Sequence, residues 1–227
     1  MNPDAITAHL PLVASAAELL DRKAVLPYCE LRRLLANATA VNCEKFEWEF
    51  AKYYGLNSAG LSPEFKQRYF ELLFGVNRSV MDNPQYGPLL SELYNIPRIQ
   101  GDLVLQCSFV SKMVAIHDES RPLYDKYVGA FFGLTVPQTG PTEFRITGFV
   151  ANLEIIRGYY FAWINDPRFQ SVFERVLNRI PELRSCNLIR VCDFLVWQTG
   201  KEATFRRKAP AKVNERVLRA RSKFRDV

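Results

Sequence analysis

Leu103-Val-Leu-Gln-Cys-Ser-Phe-Val-Ser-Lys-Met-Val-Ala-Ile-His117 carries one fully charged side chain, Lys112. Such a run predicts a buried helix over Asp102–His117, although Leu103–Leu105 alone also fits a strand. A buried ammonium loses its hydration, which lowers its pKa, and a lysine that has lost its proton is a nucleophile able to form a Schiff base. The other reading is a snorkelling lysine, its stem packed on the core and its charge in water. Directly after it comes Arg121-Pro-Leu-Tyr-Asp125. Pro122 is suited to open a second helix through Phe132, closed by Gly133. Asp125 then falls in the first turn, where the helix dipole favours a carboxylate. The spacing between Lys112 and Asp125 lets one helix end, turn, and bring the carboxylate back toward the lysine. In an apolar setting the two can divide their roles, the carboxylate stabilising a developing cation and the amine attacking it. The plainer reading is that Asp125 caps its helix.

The same punctuation runs along the rest of the chain. Helices are expected at Pro3–Leu20, at Pro27–Ala36 after a basic break at Arg22–Lys23, and at Cys43–Tyr54 between Asn42 as N-cap and Gly55 as stop. Ser62-Pro63-Glu64 starts another, ended by Gly75. Residues 76–101 hold three prolines and a short helix at Leu89–Tyr94, and read as a connection between two helical lobes. Pro141–Ile164, Pro167–Asn178 and Pro181–Gln198 follow, the last closed by Gly200. No Asn-Gly or Asp-Gly pair joins two alternating runs, so strands are not expected. The reading is an all-α protein of multi-helix build: residues 1–200 as the helical domain, with a lobe junction near 76–101, and 201–227 as a basic C-terminal helix or tail.

Composition bounds the function. With 227 residues, 48% of them hydrophobic, the chain can bury a core without staples and is not a mainly disordered one. Its apolar runs are too short or too polar to span a membrane, and Met1–Lys23 has no signal-peptide pattern. Cys29, Cys43, Cys107, Cys186 and Cys192 form no CxxC pair and read as reduced thiols of a cytoplasmic protein. His9 and His117, the only histidines, have no cysteine at finger spacing, so neither a metal nor another cofactor is expected.

The net charge of +6 is concentrated at one end. From Lys201 onward ten basic residues face three acids, a balance of +7, which leaves −1 for residues 1–200. A polyanion suits such a segment through phosphate contact and counterion release, and Arg206, Arg207, Lys208 and Lys212 are its candidate DNA-binding residues. Val213, Val217, Ala220 and Phe224 recur at helical spacing, which gives the tail an amphipathic face. A solubilising tail or a segment lying on an anionic membrane surface are the other readings.

Lys112, a short connection, Pro122-Leu-Tyr-Asp125 and the apolar Val128 together resemble the Lys…Pro-x-x-Asp core of the helix-hairpin-helix DNA glycosylases, nearest to the 8-oxoguanine type. Arg190-Val-Cys-Asp-Phe-Leu-Val-Trp-Gln-Thr-Gly200 is similar to a C-terminal helix of their small members. The likeness covers residues 98–133 and, loosely, 185–200. It implies a two-lobed helical arrangement and excision of a damaged base from duplex DNA, the nucleotide being flipped into a pocket between the lobes. Lys112 would attack the sugar and form a Schiff base, Asp125 would stabilise the oxocarbenium-like sugar, and strand β-elimination would follow. Tyr124 and Trp197 are the first candidates to line that pocket, with Tyr127, Phe131 and Phe132 as further stacking residues. The chain departs from the family before Lys112, where Gln106-Cys-Ser-Phe-Val-Ser111 replaces a glycine-rich hairpin, and its Lys-to-Asp spacing is shorter.

Other catalytic classes find no support. There is no phosphate-binding glycine loop, no Gly-x-Ser-x-Gly and no His-Glu-x-x-His. His117, Asp118 and Glu119 are adjacent at a helix end and point in different directions. The rival to a glycosylase is a non-catalytic helical module that binds nucleic acid or protein through the basic tail. A structural or regulatory protein with an incidental basic end is a third reading.

Overall fold

N-caps, prolines and left-handed glycines cut the chain into helices close to where the sequence places them. The computed structural model describes residues 3–37, 40–75 and 86–208. Ten α-helices succeed one another there, with no strand among the described residues: α1 Pro3–Leu19, α2 Arg22–Ala36, α3 Ala40–Tyr54, α4 Pro63–Gly75, α5 Tyr86–Tyr94, α6 Cys107–His117, α7 Lys126–Phe132, α8 Thr142–Ile164, α9 Pro167–Arg179 and α10 Leu188–Lys208. The all-α reading therefore holds. Ser62 Oγ accepts from Phe65 N at the start of α4, and Gly55 and Gly133 stop α3 and α7 with φ of 75° and 66°.

Several boundaries differ from the sequence reading: α5 starts at Tyr86, α6 at Cys107, and the helix expected from Pro181 is a 3-10 turn at Pro181–Ser185 followed by α10. Three further differences have an identifiable cause. Helix α2 starts before Pro27, because Asp21 caps it by accepting from Lys23 N at 2.9 Å. Pro27 then lies inside the helix, which forgoes one backbone hydrogen bond there. Helix α7 starts at Lys126 and not at Pro122, which makes Asp125 the N-cap itself. The N–H groups of Leu123 and Tyr124 are bonded by side chains from other helices, Asp193 and Ser111, and these hold the segment out of helical conformation. Helix α10 runs through Gly200, which stops nothing. A Cβ there would stand 2.6 Å from Tyr127 Cβ, so this glycine is where α7 lies against α10. Residues 102–106 are neither helix nor strand, and a tight turn in which Cys107 N donates to Leu105 O leads into α6.

The buried side chains form one contiguous cluster that draws on all ten helices, among them Val13, Val25, Phe50, Tyr69, Leu90, Val110, Val128, Phe149, Phe169 and Leu195. Helix α10 lies at its centre and packs on α1, α7 and α8, while α2 pairs with α3 and α5 bridges α6 and α8. Among the described residues no helix is long and apolar enough to cross a membrane. All five cysteines are free thiols. Lys212 and the amphipathic stretch Val213–Phe224 lie outside the described residues.

Candidate functional site

A cavity of about 680 Å³ opens between α2 and the end of α3 on one side and α6, α7 and α10 on the other. It lies within the range of small-molecule sites, roughly 300–1,000 Å³. Its walls are aromatic: Tyr28 from α2, Tyr53 and Tyr54 from α3, Tyr127 from α7, Phe194 and Trp197 from α10. Lys112 and Asp125, singled out by their spacing, both line it. The turn between α6 and α7 thus brings the two together.

Lys112 projects from α6, whose residues from Val110 to Ile116 are otherwise buried. Its Nζ lies 4.9 Å from the centroid of the Phe109 ring and 5.4 Å from that of Tyr54. Among the described residues it makes no ion pair. Burial pushes the Lys112 pKa down to about 8, only partly offset by the Asp125 charge. The residue keeps some exposed surface where it meets the cavity, while its ammonium is enclosed between the two rings. Aromatic faces attract a cation but solvate it less well than water does, so the neutral amine gains.

Asp125 uses a single oxygen to hold α7. Its Oδ1 accepts from Tyr127 N at 2.8 Å and from Val128 N at 3.0 Å. Of the two sequence readings of this residue the structure bears out the cap, and the carboxylate also borders the cavity. Its position is set from α10 by an ion pair that sequence reasoning did not assign. Arg190 and Asp193, 1% and 2% exposed, are bonded through Arg190 Nη1 and Asp193 Oδ2. Arg190 Nη2 donates to the carbonyls of Ala115 in α6 and Arg121 in the turn. Asp193 accepts from Leu123 N at 3.1 Å and from the Tyr160 hydroxyl at 3.0 Å. The pair therefore fastens the Lys112 helix, the connecting turn and α8 to one another, two residues from Asp125. Burial pushes the Asp193 carboxyl up to about 7 against the pull of Arg190 and its hydrogen-bond donors. A second tie comes from Glu119, which accepts from the Tyr28 hydroxyl at 2.8 Å, pairs with Arg32 at 2.8 Å and takes the N–H of Asn187.

The remaining predicted residues divide. Trp197 lines the cavity, with Tyr127 edge-on at 6.4 Å between centroids. Tyr124 turns away, its hydroxyl donating to Leu134 O and its ring packed on Phe149, because Ser111 and Asp193 fix the backbone on either side of it. Phe131 and Phe132 pack around His9 and Trp163 and are not among the lining residues. The Arg206–Lys208 backbone forms the last turn of α10. His117, Asp118 and Glu119 diverge as expected: His117 Nε2 contacts Leu73 O, and Asp118 caps the turn through Ser120. Tyr28, Tyr53, Tyr54 and Phe194 were missed, since nothing local in the sequence places α2 and α3 opposite α6. The Arg190–Asp193 pair did leave a signal: two opposite charges three residues apart are the only charged side chains in the run Leu188–Trp197.

Two buried polar atoms on lining residues, Tyr54 Oη and Arg190 Nε, have no hydrogen-bond partner among the described residues. Unsatisfied buried groups are uncommon, and four more lie away from the cavity, on His9, Arg98, Trp163 and Glu182. No protein-family model, curated protein or solved structure matches this chain. Chemically, the cavity combines a lysine poised to lose its proton, a fixed carboxylate and aromatic walls. That set can hold a planar group and attack an electrophilic carbon beside it.

Proposed function

We propose that this protein is a DNA glycosylase with AP lyase activity, removing an oxidised base by way of a lysine Schiff base. The reading rests on one observation: Lys112, its pKa brought down to about 8, shares an aromatic-walled cavity with the Asp125 carboxylate. At pH 7 about a tenth of such a lysine is neutral, enough to act as a nucleophile. The damaged nucleotide leaves the duplex and its base enters between Trp197, Tyr127 and the tyrosines of α2 and α3. As the glycosidic bond lengthens, positive charge develops on the sugar and the Asp125 carboxylate, whose Oδ2 has no hydrogen-bond partner among the described residues, stabilises it. The Lys112 amine bonds to C1′, and the base departs with the electron pair of the C1′–N bond and takes up a proton. The nitrogen lone pair then opens the ring, O4′ leaving C1′ with the bonding electrons and taking a proton from water, which gives the protonated Schiff base; loss of a C2′ proton to water and departure of the 3′ phosphate with the C3′–O electron pair break the strand.

Borohydride tests this directly, since its hydride reduces the iminium to a stable amine that ties protein to DNA. Duplexes carrying 8-oxoguanine or an abasic site are offered to wild type and to Lys112→Gln. A covalent adduct in wild type that is absent from the variant is the expected result. No adduct on either duplex, with DNA binding intact, refutes the enzyme and leaves a helical DNA-binding module.

A further inference from the structure

Most cations among the described side chains are matched with oxygen acceptors. Arg22, Arg32, Arg33, Lys45, Arg68, Arg98, Arg121, Arg157, Arg168, Arg175 and Arg190 face carboxylates. Lys66, Arg145, Arg179 and Arg184 reach carbonyl or amide oxygens. Among the described side chains Lys23, Lys52, Lys112, Lys126 and Lys201 alone have no such partner, and only Lys52 lies away from the cavity. Lys23 of α2, Lys112 of α6 and Lys126 of α7 line it, and Lys201 of α10 stands 4.9 Å over the ring of the lining residue Trp197.

Lys23, Lys126 and Lys201 are also exposed, so they form the rim where Lys112 belongs to the interior. They come from three helices, Lys126 and Lys201 on the Tyr127–Trp197 side of the cavity and Lys23 on α2. Two are held by the rings that wall it, Lys126 Nζ lying 5.0 Å from the Tyr127 centroid and Lys201 on Trp197, and those rings meet edge to face. Inside, Arg190 is neutralised by Asp193, which among the described residues leaves Asp125 as the one carboxylate facing these lysines from the lining. An excess of unmatched positive charge around an aromatic cavity suits a ligand with a planar group flanked by anions.

We infer that Lys23, Lys126 and Lys201 form a phosphate-gripping rim that seats a nucleic-acid strand on both sides of the nucleotide entering the cavity. This rests on the reading that the substrate is a polynucleotide. It adds side-chain phosphate contacts around the opening, beside any made by the basic tail. Each lysine meeting a phosphate releases condensed counterions, which appears in the salt dependence of binding.

The test uses the full-length chain and a short fluorescein-labelled duplex with a tetrahydrofuran abasic-site analogue, which binds but cannot react. Anisotropy titrations between about 50 and 200 mM NaCl give the slope of log K against log salt. Replacing all three rim lysines by Gln should make that slope shallower by about two to three, at ~0.9 for each phosphate no longer neutralised. Lys52→Gln, equally unmatched but outside the cavity lining and packed on Trp48, should leave it unchanged. A wild-type slope in the triple variant, an equal flattening in Lys52→Gln, or no binding by wild type overturns the rim. The trapping experiment separates the two proposals. An adduct with an unchanged slope in the triple variant refutes the rim alone, whereas a shallower slope without any adduct refutes the glycosylase and keeps the rim.

Discussion

Replacing Lys112 by Met exchanges an enclosed ammonium for an apolar chain of similar length, and the structure sets the expected gain in stability. A lysine pKa that falls from 10.5 to about 8 on folding means that the charged form is disfavoured in the fold by about 3 kcal/mol. Below pH 8 both folded and unfolded chains hold this proton, so the full penalty burdens the wild type. Between about 8 and 10.5 the unfolded chain binds more protons than the folded one, and wild-type stability rises with pH. Lys112→Met should therefore be more stable by about 3 kcal/mol at pH 7, a rise in Tm of roughly 6–10 °C, and the advantage should shrink as pH climbs toward 10.5. Urea unfolding of both proteins, followed by tryptophan fluorescence at pH 7 and near pH 10, measures the difference directly. Effects of alkali on other groups are common to both and cancel. A variant no more stable at pH 7, or a gain that does not change with pH, would mean a hydrated ammonium, and the lysine would then have no claim to be a poised nucleophile.

Three further outcomes follow from the packing around the site. Arg190→Met leaves Asp193 buried without its counter-charge and should cost about 3–5 kcal/mol in denaturant unfolding, whereas removing both charges with Asp193→Leu should recover part of that loss. Gly200→Ala would raise helix propensity by up to ~1 kcal/mol, yet its Cβ would collide with Tyr127, and a net destabilisation of about 1–2 kcal/mol is expected by thermal melting. A stabilised alanine variant would refute the close crossing of α7 and α10. Asp125→Ala removes the cap of α7 and should cost about 1 kcal/mol, while Asp125→Asn should keep the cap and the fold but slow formation of the borohydride adduct at least tenfold.

Lys112 and Asp125 were legible as cavity residues because their signals are local. A lone lysine in an apolar helix and an acid just after a proline need no knowledge of the rest of the chain. Helix order was legible for the same reason, through Gly55, Ser62-Pro63, Gly133 and Pro167. The start of α7 was not, because the groups that keep Leu123 and Tyr124 out of a helix, Asp193 and Ser111, come from distant parts of the sequence. The stop assigned to Gly200 failed because a glycine permits a turn but also permits another helix to approach, and the sequence does not distinguish the two uses. The tyrosine wall from α2 and α3 depends on which helices face each other across the cavity, a matter of tertiary packing.

The continuity of α10 through Gly200 has a consequence for spacing. From Trp197 at the cavity wall to Lys208 the backbone is unbroken helix, and at 1.5 Å per residue this span is about 16 Å. A flexible linker of the same residues would let the two ends wander independently. Here hydrogen-bonded backbone fixes the interval, so α10 acts as a ruler between the aromatic cavity and the basic run Arg206–Lys208.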